Sequence, residues 1–339
     1  MDILKKLTEE FPSIRQDKAQ NIINLIDEGN TIPFIARYRK EMTGSCDDQV
    51  LREFNDRLTY LRNLEKRKEE VTKSITEQGK MTDEIAKALD AALTLTEVED
   101  IYRPYKQKKK TRASVAIERG LQPLADFILA QDKNADVMAE AQKYIDEEKG
   151  VATAEDAIAG AKDIIAEIVS DDANVRKKLR NLFMKNGEIE TRLVNADKDE
   201  AKVYEMYADY SENIAEIKSH RVLAANRGEK EGFLKVRICF NDEIAKRIAG
   251  AGYLKDGGYS TQLVKEAVED SYDRLIFPSI EREIRASLTE AASEQAIKMF
   301  EVNLKPLLMQ PPVKDKITLG LDPAYRTGCK IAVVDGTGK

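Results

Sequence analysis

The residues whose types most clearly suggest chemistry form a run of cations with no acidic residue between them: Arg103, Lys106, Lys108, Lys109, Lys110 and Arg112. Tyr102 and Tyr105 stand at the start of this run, and Pro104 prevents a simple helical continuation through it. Like charges at this density repel one another. A phosphate backbone would neutralise them, and the tyrosine rings could stack on unpaired bases. The segment therefore predicts a nucleic-acid contact, with a solvated basic loop as the alternative.

A second candidate contact lies near the N-terminus. Ser13 and Gln16 have the spacing of a capping box, and the helix that they predict ends at Gly29. A second short helix is predicted from Pro33. Its basic residues are Arg37, Arg39 and Lys40. Two short helices joined by a turn resemble a helix-turn-helix, which would present these cations to DNA. The alternative is that the helix pair only packs in the core.

Other reactive side chains are scattered along the sequence. Cys46, Cys239 and Cys329 lie far apart and lack the spacing of a zinc site or a disulfide framework. His220 is the only histidine and has no companion cluster at metal spacing, so a structural role is expected. The sequence predicts no cofactor and no metal site in these residues.

The composition is typical of a helix-rich soluble protein. Of 339 residues, 34% are charged and 6% are aromatic, with no Trp. The net charge of -6 argues against binding of nucleic acid over the whole surface. A local basic footprint is still compatible with it, because screening acts over only ~8–10 Å. No apolar run approaches the ~18 residues of a membrane span, and a signal-peptide core is absent, so a cytoplasmic location without membrane association is expected.

Helices are predicted over most of the first 187 residues. The longest runs from Asp47 to about Gly79, with an apolar stripe supported by i, i+4 ion pairs. Further helical segments are predicted over 83–93, 96–103, 114–119 and, in several pieces, 121–187. A second basic cluster, favoured as a solvated helix face, consists of Arg176, Lys177, Lys178 and Arg180.

Strands enter only in the second half. They are predicted over 189–194 and 234–240, the latter from strict alternation of apolar and polar residues. Helix signals cover 214–225, and a turn is predicted at 226–229. A very long helix is predicted from Pro278. It is broken by prolines that mark a domain boundary: Pro306, Pro311 and Pro312.

The pattern changes again after these prolines. Strands are predicted over 317–322 and 329–334, and the second strand leads into a turn. Two strands without a third partner are marginal and would expose an apolar edge. The sequence is therefore expected to be a fragment whose third domain is cut off just after it starts.

Several motifs together resemble one known family. In chain order they are residues 31–41, 100–112 with 120–125, 219–224 with 226–232, and 319–328. They span nearly the whole chain and resemble the N-terminal part of the bacterial Tex family of transcription accessory proteins. The resemblance implies a mainly α protein, an elongated multi-helix array with a helix-turn-helix-like start and a few short strands. It divides the chain into an N-terminal helical domain (1–195), a helical middle region (196–312) and the first two strands of a ribonuclease-H-like domain (313–339).

The resemblance also implies a nucleic-acid-binding role in transcription. RNA or DNA is the expected partner, and RNA polymerase or the ribosome is a further candidate. Asp322 sits where ribonuclease-H-like nucleases place their first carboxylate, and it is the only metal candidate. Such sites need several converging carboxylates, so this chain is expected to be non-catalytic. Two alternatives stay open: a metal-dependent nuclease in the full-length protein, and a protein-interaction scaffold.

Overall fold

Helices build most of the chain in the computed structural model, which describes residues 2–195, 199–255, 258–311, 315–324 and 328–339. The α-helices of the first 195 residues are α1 (Ile3–Glu10), α2 (Gln16–Asp27), α3 (Ile32–Tyr38), α4 (Lys40–Thr43), α5 (Asp48–Glu77), α6 (Asp83–Ala91), α7 (Leu95–Tyr102), α8 (Arg112–Glu118), α9 (Gln122–Ala130), α10 (Val137–Gln142), α11 (Ala154–Asp171) and α12 (Ala173–Asn186).

The later part of the chain mixes strands with helices. The elements are β1 (Glu188–Leu193), β2 (Asp209–Asn213), α13 (Ser219–Lys230), β3 (Leu234–Cys239), α14 (Asp242–Gly250), α15 (Gly258–Asp270), α16 (Phe277–Leu308), β4 (Thr318–Asp322) and β5 (Lys330–Val334). Short 3-10 helices cover Arg103–Tyr105 and Asp199–Tyr207, and a π-helix covers Ser271–Ile276. The predicted mainly α fold with two C-terminal strands is confirmed.

The chain forms two compact units. The first contains Met1–Phe183 and Phe240–Ile280, and the second contains Met184–Cys239 and Glu281–Lys339. The division into 1–195, 196–312 and 313–339 stays a prediction. Several residues at its borders or in the predicted motifs lie outside the described part of the chain: Ala196, Pro312, Val313 and Tyr325, Arg326, Thr327.

Helix α5 organises the N-terminal half of the first unit. It begins where the Asp47 carboxylate accepts a hydrogen bond from the Val50 amide at 2.9 Å, and it ends before Gly79, whose φ is +67°. One buried stripe runs along it: Leu51, Phe54, Leu58, Leu61, Leu64, Val71 and Ile75. The first half of the stripe joins the core of α1, α2 and α3, and the second half packs with α6 and α7. The bounds and the apolar stripe agree with the prediction. Of the predicted i, i+4 ion pairs, Arg52 meets Asp48, whereas Arg57 pairs with Glu10 of α1.

Helix α11 is the central helix of the rest of the first unit. It packs against α8, α9, α10 and α15. At Gly160 this packing leaves no room for a side chain, since an added Cβ would lie 2.4 Å from Leu121 Cδ1. The helix has an apolar side buried in this core: Ala157, Ile158, Ala161, Ile164, Ile165 and Val169. Acidic residues on its other side contact the basic segment described below.

The second unit contains a three-stranded antiparallel sheet with the order β2-β1-β3. Thr191 at its centre lies opposite Tyr210 on one side and Val236 on the other. Leu234, Val236 and Ile238 are buried, as their alternation predicts. Strands β1 and β3 were predicted from the sequence, whereas β2, which is polar throughout, was not.

The turn predicted at 226–229 is wrong. These residues lie inside α13, which ends only before Gly232, where φ is +78°. Gly228 is buried, and a Cβ there would lie 2.5 Å from Leu234 Cδ1 and 2.9 Å from Tyr204 Cδ1. The glycine therefore permits close packing of the helix on its neighbours and does not end the helix.

The predicted helix start at Pro278 is also wrong. Helix α15, the π-helix Ser271–Ile276 and α16 follow one another without a break, so helical structure runs from 258 to 308. Proline lacks an amide N–H and clashes with the carbonyl four residues earlier, and the wider π turn just before Pro278 accommodates this defect. Pro306, predicted as a breaker, lies within the last turn of α16.

The two C-terminal strands form their own small sheet. Strands β4 and β5 are antiparallel, with Leu319 opposite Val333 and Leu321 opposite Ile331. All four side chains are at least 56% exposed. The expected exposure of apolar strand residues is therefore observed in the described residues.

Within the described ranges, every helix is too short or too polar to span a bilayer.

Candidate nucleic-acid interface

The basic segment predicted from the sequence is a loop between two helices, and its ends are fixed locally. Helix α7 passes into the 3-10 turn Arg103–Tyr105, which contains Pro104. At the other end Thr111 and Ser114 form a capping box: the Ser114 amide donates to Thr111 Oγ1 at 3.0 Å, and the Thr111 amide donates to Ser114 Oγ at 2.8 Å. Residues 106–111 between these anchors are called the basic loop below.

The two tyrosines of the segment anchor it to α5. The hydroxyl groups of Tyr102 and Ser74 are 3.0 Å apart, and the Arg67 guanidinium lies 5.5 Å from the centre of the Tyr102 ring. Tyr105 packs partly buried beside the core of α5, α6 and α7, and its carbonyl accepts a hydrogen bond from Gln78 Nε2 at 2.9 Å. These contacts occupy part of each ring. Stacking of either ring on a base stays a prediction.

Lys108 is bound to carboxylates of the protein itself. Its Nζ lies 3.0 Å from Glu167 Oε1 and also contacts Asp171 Oδ2, both on α11. Arg103 Nε lies 3.2 Å from the other Asp171 oxygen. The predicted phosphate contacts at Arg103 and Lys108 therefore have internal ion-pair partners, which the sequence did not reveal because they lie some sixty residues further along the chain.

The other lysines of the basic loop are available to solvent. Lys106, Lys109 and Lys110 are exposed. None of their ammonium groups makes an ion pair or a hydrogen bond with any residue in the described ranges. Arg112, the first residue of α8, is exposed as well, and its charge acts on Asp163. Burial raises the pKa of the Asp163 carboxyl, against the opposing effect of Arg274 and Arg112.

The N-terminal candidate residues lie on an exposed basic and aromatic surface. Helices α2 and α3 are joined through Gly29, whose φ is +82°, so the predicted pair of short helices is confirmed. The predicted capping box is wrong, since the N-cap of α2 is Arg15 and makes no side-chain capping bond. Arg37, Arg39 and Lys40 are all exposed. The Arg39 guanidinium lies 5.2 Å from the centre of the Phe34 ring and donates to the Tyr38 carbonyl at 3.3 Å. Presentation of these cations to DNA stays a prediction.

The second basic cluster is only partly a solvated face, so that prediction is wrong for two of its members. Arg176 is fully buried, and its Nε donates to Asp100 Oδ1 at 2.8 Å. Arg180 donates to both oxygens of Asp100, at 2.9 and 3.2 Å. Lys177 is exposed and pairs with Glu97 at 2.7 Å. The buried Asp100 carboxylate is compensated by the charges of Arg176 and Arg180. The spacing of the basic residues in the sequence does not indicate this pairing.

Asp322 lies at the end of β4, exposed and opposite Lys330 of β5. Among the residues that the structure describes, no three or more His, Cys, Asp or Glu side chains converge as a metal site would require. Asp322 is therefore not part of such a group within those residues.

Glu167 and Asp171 are the residues that sequence reasoning missed at this site. With Asp163 they form a row of acids at four-residue spacing on α11, which places them on one face of that helix. The spacing was visible in the sequence. Which cations they meet depends on the packing of α11 against the segment that precedes α8, and the sequence does not give this.

Family models match the chain in three consecutive stretches. They are the Tex-like protein N-terminal domain over residues 1–76, the Tex central region-like model over 132–300 and the Tex protein YqgF-like domain over 316–339. The basic loop lies between the first and the second of these stretches.

Curated relatives align over almost the entire chain. The uncharacterized protein YdcI of Bacillus subtilis is 49% identical over 99% of this chain and 47% of its own length. The transcriptional accessory protein Tex of Neisseria gonorrhoeae is 41% identical over 100% of the chain and 45% of its own length. The S1 RNA-binding domain-containing protein 1 of Homo sapiens is 32% identical over 100% of the chain and 35% of its own length.

The chain thus spans less than half the length of each of these relatives. The resemblance read from the four groups of motifs is confirmed by the order of the matching models. This chain belongs to the Tex family.

Proposed function

We propose that the chain is a nucleic-acid-binding transcription accessory factor and that its basic loop contacts phosphate groups. The observation that carries the proposal is the set of exposed lysines without internal partners in the described ranges: Lys106, Lys109 and Lys110. The names of two relatives support it, since one is called a transcriptional accessory protein and another an S1 RNA-binding domain-containing protein.

The expected binding is electrostatic and independent of base sequence. Each phosphate contact by a lysine releases condensed counterions and contributes about 0.9 to the salt slope on duplex DNA and about 0.7 on single strands. Three lysines would therefore contribute a slope of roughly 2 to 2.7. Between 50 and 200 mM salt this corresponds to a roughly 15- to 40-fold loss of affinity. RNA and DNA would both bind through this term.

The N-terminal cations supply a second contact in this proposal. Arg37 and Lys40 are exposed beside Tyr38, which is 66% exposed. In the described residues neither Arg37 nor Lys40 pairs with a carboxylate. Both side chains are accessible to a polyanion because they are exposed. Lys18, whose ammonium donates to the Glu41 carbonyl at 2.7 Å, adds a further positive charge.

The test is a triple variant, Lys106→Met, Lys109→Met and Lys110→Met, measured by fluorescence anisotropy with labelled RNA and duplex DNA over a range of salt. The salt slope should fall by roughly 2 to 2.7, equally for unrelated base sequences. The matched control removes three exposed lysines elsewhere: Lys66, Lys80 and Lys87. An equal effect of the control triple would mean that net charge, and not the basic loop, governs binding.

We further propose that the chain is not a nuclease. The exposed position of Asp322 supports this, as does the lack, in the described residues, of a group of three or more His, Cys, Asp or Glu side chains that could hold a metal ion. The nuclease alternative predicts Mg²⁺-dependent cleavage by the full-length protein that is lost on Asp322→Asn. Cleavage that survives this substitution would exclude Asp322 as its metal ligand.

One observation favours a scaffold role as a second candidate function. The C-terminal half of α16 exposes large apolar side chains, including Ile297 at 68%, Phe300 at 65% and Leu307 at 62%. RNA polymerase or the ribosome are the candidate partners for such a surface. Pull-downs with either, repeated after nuclease treatment, test the idea: a complex that disappears with the nucleic acid would speak against it.

A further inference from the structure

We infer that Lys108 is a positioning residue, which holds the basic loop against α11 so that Lys106, Lys109 and Lys110 face an incoming phosphate backbone. The inference deepens the proposed function and rests on it. It assigns different roles to neighbouring lysines that the sequence presents as one uniform run.

The first argument is the place of Lys108 in the loop. The 3-10 turn Arg103–Tyr105 fixes one end of the loop, and the capping box at Thr111 fixes the other. Between these ends, the side-chain contacts of Lys108 with Glu167 and Asp171 are the ones that tie the basic loop to a distant element in the described structure. Loss of these contacts would leave the loop held only at its ends.

The second argument is burial. The side chain of Lys108 is 27% exposed, that of Glu167 is 22% exposed and that of Asp171 is 11% exposed. Salt and water screen such a pair less than a pair on an open surface. The contact should therefore persist at the salt concentrations at which the exposed lysines bind phosphate.

The third argument is charge balance. Arg103 and Lys108 together carry two positive charges and meet two negative charges, on Glu167 and Asp171. Lys108 therefore has no uncompensated charge to offer to a polyanion. Without Arg103 and Lys108, the carboxylates of Glu167 and Asp171 would repel a phosphate ligand. Their role in this proposal is to hold the basic loop in its binding position, and the gain in affinity from that exceeds the repulsion.

Positioning should matter because a free loop loses conformational entropy when it is ordered on a ligand. A loop already held in its binding conformation avoids this loss at the moment of binding. Lys108 would thus raise affinity without neutralising a phosphate, which distinguishes it from Lys109 and Lys110 in a measurable way.

The experiment measures affinity and salt slope for single substitutions in the 339-residue chain, with a labelled duplex DNA as probe. Lys108→Met should lower affinity by about 3- to 10-fold and leave the salt slope unchanged. Lys108→Arg, which can still reach the carboxylates, should restore affinity. Lys109→Met should lower the slope by about 0.9. A fall in slope of the same size for Lys108→Met would overturn the inference, because Lys108 would then contact phosphate itself.

The sign of the effect at Glu167 gives an independent check. Glu167→Gln removes a negative charge near the ligand, so simple electrostatics predicts tighter binding, whereas the positioning role predicts weaker binding. The matched control is Glu266→Gln, which breaks the 30–40% exposed ion pair of α11 residue Lys162 and leaves the loop untouched. Tighter binding by Glu167→Gln would overturn the inference. The control should bind like the wild type.

A readout that needs no ligand separates this inference from the proposed function. Hydrogen exchange of the amides in residues 106–111 should be faster in Glu167→Gln than in the wild type, and unchanged in Glu266→Gln. Unchanged exchange in Glu167→Gln would refute the positioning role whatever the binding result. Failure of the wild-type chain to bind RNA or DNA would instead refute the proposed function.

Discussion

Substitution of Asp100 by Asn should strongly destabilise the first unit. The Asp100 side chain is 7% exposed and lies between Arg176, which is 0% exposed, and Arg180, which is 17% exposed. An arginine side chain cannot be deprotonated in a folded protein. Asparagine would therefore remove the negative charge that lies 2.8 Å from Nε of the buried Arg176 guanidinium. Breaking a buried ion pair in this way costs about 3–5 kcal/mol.

Replacement of Arg180 provides the graded comparison. Arg180→Met removes the partly exposed cation and leaves the pair of Asp100 and Arg176 intact, so the expected loss is about 1–2 kcal/mol. The free energy of unfolding is best measured by urea titration with far-UV circular dichroism, since the chain contains no Trp. A loss below about 1 kcal/mol for Asp100→Asn would show that Arg176 does not depend on this carboxylate.

Two further predictions concern packing and a half-buried thiol. Gly160→Ala should cost about 1–3 kcal/mol in urea titrations, because its Cβ would meet the buried Leu121 side chain at 2.4 Å, whereas Gly252→Ala, with no atom within 4 Å of its Cβ, should be close to neutral. Burial, followed by the hydrogen bond with Glu190, raises the pKa of Cys239 from 9.0 to about 11, so alkylation followed by mass spectrometry at pH ~8 should be about 100-fold slower than for an ordinary thiol. The folded state favours the protonated thiol, so the stability that Cys239 contributes is fully present below pH ~9 and is lost as pH rises through about 11. Alkylation of Cys239 at the rate of the unfolded chain would contradict this.

Local signals were sufficient for the elements whose pattern reflects burial directly. Helix α5 repeats apolar residues every three to four positions and has an Asp47 cap, and β3 alternates strictly, so both were predictable. Strand β2 was missed because its residues are polar and only partly buried, so that its pairing with β1 gives it its conformation.

Glycine and proline misled the prediction where tertiary packing overrides their local preference. Gly228 lies in the last turn of α13, where a larger residue would collide with Leu234 and Tyr204. Pro278 sits inside continuous helical structure because a π turn precedes it. Gly228 was interpreted as a turn residue and Pro278 as the first residue of a helix, and in both cases the surrounding structure accommodates the residue inside helical structure.

The sequence was sufficient to locate the candidate interface along the chain, but not to predict which of its cations form internal ion pairs. The density of cations between Arg103 and Arg112 marks the loop in the sequence alone. Which of them are consumed by internal ion pairs depends on contacts across about sixty residues of sequence, as between Lys108 and Glu167. A run of basic residues in the sequence gives the largest positive charge that the surface can present. The fold decides how many of these cations form internal ion pairs and how many stay accessible to a ligand.

The attachment of the basic loop to α11 has a consequence for protein engineering. The lysine-rich stretch is not a self-contained module, since two of its cations have their partners on a separate helix at Glu167 and Asp171. Transplanting residues 103–112 into a foreign scaffold would carry over the charge without the surface that shapes it. A graft that retains affinity would have to bring the acidic face of α11 along with the loop.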